Sequence, residues 1–257
     1  MAVMGGERYA DSRSMPPSVS IIVPCRNEAG NIPRILPAIP SFGAETEVIF
    51  VEGHSTDDTW TRLQSLPQTV DGRSVRIVQQ QGIGKADAVH LGFSLARNDI
   101  LIILDADMTV DPACLGEFYT CIASGRADVA IGTRLVLSME EGSMPLPNRL
   151  ANRFFAFLLG IVLRQRFTDT LCGTKAFRRT DHARILTASG VMGSRDPFGD
   201  YWILVGAANA GLRILEIPVR YFRRRYGKSN IRHVREGLLL LRLTLMAATV
   251  SRSTTTH

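Results

Sequence analysis

Several scarcities narrow this chain before any motif is considered. Its 257 residues include only four cysteines. Cys25, Cys114, Cys121 and Cys172 show no metal-ligand spacing. Neither a zinc site nor a disulfide framework is expected; free thiols in a reducing compartment are. Aromatic residues are 7% of the chain, and they are barely interleaved with its cations. That argues against a nucleic-acid surface. No run reaches the roughly 20 apolar residues of a membrane-spanning helix. The nearest runs are residues 154–163, flanked by Arg153 and Arg164, and residues 238–250, interrupted by Arg242. Both are expected to be buried core helices, with an interfacial helix on an anionic membrane as the second reading. Residues 1–18 are polar and lack an apolar leader core, so they are expected to be a disordered tail and no signal peptide. No repeat or linker divides the chain. One domain is expected over residues 19–232, followed by an amphipathic helix and tail over 233–257.

The composition that remains is ordinary for a globular protein, with 45% hydrophobic and 21% charged residues. The net charge of +6 and a pI near 9.5 favour an anionic partner such as a nucleotide, a phosphate or an acidic membrane surface. Apolar runs of four or five residues recur: Val19-Ser20-Ile21-Ile22-Val23, Glu47-Val48-Ile49-Phe50-Val51, Val75-Arg76-Ile77-Val78 and Ile100-Leu101-Ile102-Ile103-Leu104. Such runs read as strands buried on both faces. Helical patterns lie between them, from about Asn31, through Trp60 and Leu63, and from Lys85 to Leu95. Strand and helix in alternation imply right-handed crossovers and a mostly parallel sheet flanked by helices, a Rossmann-like α/β fold.

Ligands bind beyond the carboxyl ends of strands in such sheets, and the polar residues of this chain collect there. The fourth run ends in Asp105-Ala106-Asp107. If the backbone stays extended, the two carboxylates share a side. Hard oxygen donors of this kind suit Mg²⁺ or Mn²⁺, with a diphosphate completing the ligand set. The turn at Gly82-Ile83-Gly84-Lys85 is too short for a P-loop or a dinucleotide fingerprint, yet its amides and the Lys85 ammonium could approach a phosphate. Arg134 follows the strand at Val129, and Arg223-Arg224-Arg225-Tyr226-Gly227-Lys228-Ser229-Asn230 forms a basic turn suited to an anion. Asp200 is placed like a helix N-cap.

Taken in order, Pro24-x-x-Asn27-Glu28, Val51-Glu52-Gly53-His54-Ser55-Thr56-Asp57-Asp58-Thr59, Gly84-Lys85 and Asp105-Ala106-Asp107 resemble the family-two inverting glycosyltransferases of GT-A fold. Asp169-Thr170-Leu171-Cys172-Gly173 and Arg225-Tyr226-Gly227-Lys228-Ser229-Asn230 are similar to the branch containing dolichol-phosphate mannose synthase and bacterial polyprenyl-phosphate glycosyltransferases. The likeness spans about residues 19–232. It implies that Pro24, Arg26, Asn27, Glu28, Glu52 and Lys85 bind a nucleoside-diphosphate sugar. Asp105 and Asp107 would hold Mg²⁺ or Mn²⁺ on its diphosphate. Arg134, Arg225, Lys228 and Ser229 would meet phosphates of donor or acceptor. Asp200 and Asp169 are the catalytic-base candidates. One departure stands out: where the family commonly reads Val-Asp-Asp-Gly-Ser-Thr, this chain reads Val-Glu-Gly-His-Ser-Thr, so base or ribose recognition is expected to differ.

The resemblance implies transfer with inversion to a polyprenyl phosphate on the cytoplasmic side, at the inner face of a membrane. A membrane contact would be peripheral or through a partner, since the chain ends soon after Val250. Oligomeric state is left open. Three alternatives remain: a hydroxyl acceptor, which needs a base; a nucleotidyltransferase, disfavoured by the first loop; and a non-catalytic sugar-nucleotide-binding protein, motivated by Gly53.

Overall fold

The computed structural model describes residues 15–42, 44–227 and 233–254. One eight-stranded sheet organises them, in the order β3-β4-β2-β1-β5-β7-β6-β8. Its strands are β1 (Val19–Cys25), β2 (Thr46–Glu52), β3 (Thr69–Val70), β4 (Arg73–Gln79), β5 (Ile100–Ile103), β6 (Val129–Thr133), β7 (Lys175–Arg178) and β8 (Ile214–Pro218). Helices α1 (Ile32–Ala38), α2 (Thr59–Gln64), α3 (Lys85–Leu95) and α4 (Leu115–Ala123) connect the first half. Helices α5 (Leu146–Leu163), α6 (His182–Ala188), α7 (Met192–Arg195), α8 (Tyr201–Asn209) and α9 (His233–Thr254) belong to the second.

The runs of β1, β2 and β5 are strands buried on both faces, whereas β4, interrupted by Arg76, buries only Val75. Along β1, Val19, Ile21, Val23 and Cys25 face one core, and Ile22 faces the other. In β2, Val48 and Phe50 divide from Ile49 and Val51 in the same way. Each fully buried Ile, Val or Phe contributes about 1.5–3 kcal/mol of transfer free energy, an upper bound for realistic unfolded chains. The first core lies under α1 and α4. The second lies under α3, α5, α8 and α9.

Two features were not legible in the sequence. The short strand β7 inserts between β5 and β6 and runs antiparallel to both. The sheet is mostly parallel, as expected, through the pairs β1/β2, β1/β5, β2/β4 and β6/β8, with β7 and the short β3 as its antiparallel members. The tail expected over residues 1–18 is also anchored at its end. Tyr119 Oη donates to the Pro17 carbonyl at 2.7 Å, and the Ser18 amide and hydroxyl donate to Asp99. Residues 1–14 lie outside the described residues.

Candidate active site

Parallel strands β1, β2, β4 and β5 all end on one edge of the sheet, where three non-glycine residues adopt left-handed backbone. Asn27, His54 and Met108 have φ of 56°, 57° and 57°. Such conformations cost free energy and persist only where the surroundings enforce them. Here the enforcement is a lattice of hydrogen bonds between loops. Asn27 N–H donates to Ser55 Oγ (3.0 Å), and Asn27 Oδ1 accepts from the Thr56 amide (2.8 Å). The Glu28 amide donates to Thr59 Oγ1 at 2.8 Å. Glu52 has no exposed surface. One of its oxygens accepts from the Ser55 amide at 2.5 Å, and the other accepts from Gln79 Nε2 at 2.7 Å. Burial opposes its ionisation, but these donors outweigh burial and hold its pKa below the ordinary carboxylate value. Asn27 and Glu52 thus shape the loops around the opening and do not line it.

The opening itself is a cleft of about 310 Å³. Among the residues expected to bind donor, Pro24, Arg26, Glu28, Lys85, Asp105 and Asp107 line it. Gly53 and Gln80 share that wall. Gln80 is 3% exposed, and its Nε2 donates to the Gly82 carbonyl at 3.0 Å. That bond leaves Oε1 buried without a partner. A hydrogen-bond acceptor in the wall beside a missing side chain is the kind of group that can receive an N–H from a bound base. It had not been anticipated from the sequence, because its role depends on Gly53 lying beside it.

The paired aspartates do not remain on an extended strand. The backbone turns at Ala106-Asp107, and both carboxylates still reach the cleft. Lys85 Nζ lies 2.6 Å from Asp105 Oδ1 and 2.7 Å from Asp200 Oδ2. Burial opposes the charged form of Asp105, yet Lys85, with Lys175 and Arg134 behind it, outweighs burial and holds the carboxyl below its usual range. Gly173 packs so closely here that a Cβ would fall 2.1 Å from Asp105 Oδ2. Asp107 Oδ1 accepts from the Thr109 amide and hydroxyl (3.0 and 2.8 Å). Asp107 Oδ2 meets Arg224 at 2.6 Å, and the same guanidinium meets Glu28 Oε1 at 2.7 Å.

Arg224, and not the expected Arg225, therefore enters the cleft. The reason is alternation in the extended segment after β8. The Phe222 amide donates to the Thr109 carbonyl at 2.8 Å, while Tyr226 Oη reaches Asp57 at 3.0 Å with its ring seated against Gly30. Between those anchors Arg224 turns inward; Arg223 and Arg225 are exposed. Lys228 and Ser229 lie outside the described residues.

Arg134 and Asp169, expected at a phosphate and as a base, are spent on each other. Asp169 Oδ2 accepts from Arg134 N and Nε at 3.0 and 2.7 Å, and Oδ1 accepts from Arg134 Nη2, Asn152 Nδ2 and the Leu171 amide at 3.0, 2.7 and 2.9 Å. Burial would raise this carboxyl, but Arg134 and the other donors bring it down to about 2. No lone pair is left to collect a proton, so the pair is a brace between β6, α5 and the 168–173 loop.

Asp200 occupies the N-cap position of α8 without capping it. Asp196 does that work, its Oδ2 accepting from the Tyr201 and Trp202 amides at 2.6 and 3.0 Å. Asp200 instead joins Lys85, with Lys175 Nζ at 3.5 Å from its other oxygen. Among the described residues, no cluster of three or more His, Cys, Asp or Glu side chains could hold a metal unaided. Asp105 and Asp107 nevertheless fit Mg²⁺ or Mn²⁺, which characteristically take one or two carboxylates and complete their shell with substrate phosphates and water.

Known proteins resemble this chain in sequence and in fold. Residues 20–186 match the family profile described as Glycosyl transferase family 2. A dolichol-phosphate mannosyltransferase of Pyrococcus furiosus is 28% identical over 59% of this chain and 42% of its own length. A low-salt glycan biosynthesis hexosyltransferase of Haloferax volcanii is 26% identical over 93% of this chain and 55% of its own. The chain thus spans about half, or less, of those two relatives. In fold it is similar to glucosyl-3-phosphoglycerate synthase of Mycobacterium tuberculosis, solved with Mn²⁺, UDP and its product, at a TM-score of 0.64 and 18% identity, covering 91% of this chain and 80% of that one. The chain belongs to glycosyl transferase family 2 and has the GT-A fold of that solved structure.

Proposed function

We propose that this family 2 glycosyltransferase moves a sugar from a nucleoside diphosphate to a polyprenyl phosphate in one inverting displacement. The acceptor's phosphate oxygen bonds to the anomeric carbon from the face opposite the diphosphate. The bond from that carbon to the diphosphate breaks, and the nucleoside diphosphate leaves with the electron pair. Asp105 and Asp107 would hold Mg²⁺ or Mn²⁺, which when bound supplies positive charge at the diphosphate. Lys85 and Arg224 are the protein's own cations at the same place, where negative charge develops as the bond breaks.

The observation that carries the choice of acceptor is the state of the two base candidates. Asp169 is saturated by five donor contacts. Asp200 lies between two lysines. A hydroxyl acceptor must lose its proton to a base; a phosphate acceptor is already ionised and needs cations instead. The site is rich in cations and has neither carboxylate free. The dolichol-phosphate name of the Pyrococcus relative supports the same reading.

Thermal shifts with GDP, UDP, dTDP and CDP, each with and without Mn²⁺, test the donor half. One diphosphate is expected to raise the melting temperature in a Mn²⁺-dependent way, and Asp107→Ala is expected to abolish that dependence. A diphosphate at 100 times its dissociation constant adds about 2.7 kcal/mol of stability. No shift with any of the four would remove the nucleotide site and favour a scaffold role. For the acceptor half, Asp200→Asn is expected to retain transfer to a polyprenyl phosphate within about tenfold of wild type. Loss of 10²-fold or more, the range typical of a general base, would favour the hydroxyl reading.

A further inference from the structure

Helix α5 has two apolar faces where a soluble helix has one. Phe155, Ala156 and Leu159 are buried in the second core, and Asn152 is buried against Asp169. On the opposite side, Leu146, Leu150, Phe154, Phe157 and Ile161 follow one another at spacings of four, four, three and four residues. Each is more than half exposed, Phe157 at 64%. Helix α9 packs beside α5 and continues the surface with Leu238, Leu241 and Leu245. Scattered exposed leucines need no explanation, but a contiguous apolar surface on two adjacent helices marks a binding face.

The charge on this face selects its occupant. Between Ser143 and Thr168 the chain carries Arg149, Arg153, Arg164 and Arg166 and no acidic residue. Arg153 and Arg164 are exposed on the same sector of α5 as the apolar stripe, and Arg242 is exposed on α9. On α5 the apolar stripe is flanked only by cations, and the α9 sequence adds Arg235 and Arg242 against the single acidic Glu236; that balance describes helices lying in the interface of an anionic bilayer. By length and composition α5 could also cross a membrane. Its attachment argues for lying flat: at 18 residues it is ~27 Å long, and along that length its inner face is fastened into the domain.

We infer that the exposed faces of α5 and α9 form a docking surface for an anionic phospholipid bilayer. Position gives this surface a use. Asn152, on the inner side of α5, donates to Asp169, which braces Arg134 at the end of β6. A bilayer against the outer face of α5 would be separated by that helix from the brace its inner face holds. This use rests on the lipid-phosphate reading of the acceptor, whereas the surface itself does not.

Cosedimentation of the full chain with vesicles tests it, using phosphatidylcholine alone and phosphatidylcholine with phosphatidylglycerol, without donor or acceptor. The chain is expected to pellet with the anionic vesicles at least tenfold more strongly than with the neutral ones. Phe154→Glu with Phe157→Glu is expected to reduce that binding at least tenfold. Arg153→Glu with Arg164→Glu is expected to remove the preference for the anionic vesicles. All four positions are exposed, and an unchanged melting-temperature shift with the nucleoside diphosphate reports that each variant is folded. Failure to pellet with either vesicle, or pelleting that neither double variant reduces, would overturn the inference. So would a dimer in solution that Phe157→Glu dissociates, since a second copy would then cover the face. Vesicle binding by a protein that transfers sugar only to soluble acceptors would overturn the acceptor reading and leave the surface standing.

Discussion

Two arginine–carboxylate pairs flank the cleft, with almost the same contact distance and opposite designs. Arg134 meets Asp169 at 2.7 Å, and Arg224 meets Asp107 at 2.6 Å. The Asp169 side chain has no exposed surface, and backbone amides and Asn152 hold it as well. Arg224 comes from an irregular segment and divides its guanidinium between Glu28 and Asp107, with 28% of its side chain exposed. The first pair, with Asn152, ties β6, α5 and the 168–173 loop together, beside a Thr133–Thr168 hydroxyl contact of 2.6 Å. The second spans the opening through which a diphosphate would enter. An arginine shared between two carboxylates in a wet cleft can exchange one of them for a phosphate at small cost, because phosphate offers its planar fork an equivalent partner. Contact distance alone does not separate a brace from a working group; burial and the number of competing donors do.

The strongest way to break the comparison is Asp169→Ala. It leaves the Arg134 guanidinium without its partner in a largely dry site, and breaking a buried pair in this way costs about 3–5 kcal/mol. Chemical denaturation should show that loss. A change below 1 kcal/mol would erase the distinction between the pairs. Arg224→Ala is expected to do the reverse. Its effect on unfolding should be smaller, about 1–2 kcal/mol, because Glu28 keeps Asn31 and Asp107 keeps Thr109 as donors. Its effect on turnover should reach ~10²-fold, the lower range for removing one group that stabilises a leaving anion. Comparable losses of stability in the two variants would make Arg224 a brace as well.

A gentler probe is pH. The folded-state pKa of Asp169 is about 2, below its ordinary value of 3.8. A depressed carboxyl contributes stability that is fully present above the unfolded value and is lost as pH falls through the folded one. Between pH 4 and pH 2 the chain is therefore expected to lose about 2 kcal/mol from this group, taking ~1.4 kcal/mol per pKa unit. Asp169→Asn should flatten that part of the acid-unfolding curve, and an unchanged curve would mean that the pair carries no linked stability. The smallest expected change is at Gln80. Gln80→Leu removes the unpartnered acceptor of the cleft wall and is expected to weaken nucleoside-diphosphate binding by ~10-fold, within the 1–3 kcal/mol range for leaving a bound donor unsatisfied. Isothermal titration would read it; undiminished affinity would show that Oε1 does not face the base.

Much of the fold was legible because burial on both faces leaves a plain record. Four mostly apolar runs became β1, β2, β4 and β5, although β4 buries only Val75, and the polar residues that follow them became the rim of the cleft. The acidic pair Asp105 and Asp107 was readable for the same reason: it stands where a buried strand meets solvent. Strand β7 was not legible. Its four residues, Lys175–Arg178, carry no periodic signal, and only the gap between β5 and β6 makes them a strand. Asp200 looked like an N-cap by its position before α8, yet Asp196 takes the amides and Asp200 turns to the lysines. Sequence position names the helix end, while the path of the loop decides which carboxylate reaches it.

The sequence by itself determined the α/β architecture, the edge of the sheet at which the site lies, and the glycosyltransferase character carried by its ordered motifs. Those properties follow from local patterns, in which apolar periodicity and the residues at strand ends are written consecutively. Only the tertiary structure decided which charges are spent and which remain available. Asp169 lies 35 residues from Arg134, and Arg224 lies 117 residues from Asp107. An ion pair between such positions is created by the packing of strands and loops that are separate in the chain. No local pattern records it, because the free energy that selects each partner comes from burial and from the competing donors that folding brings together.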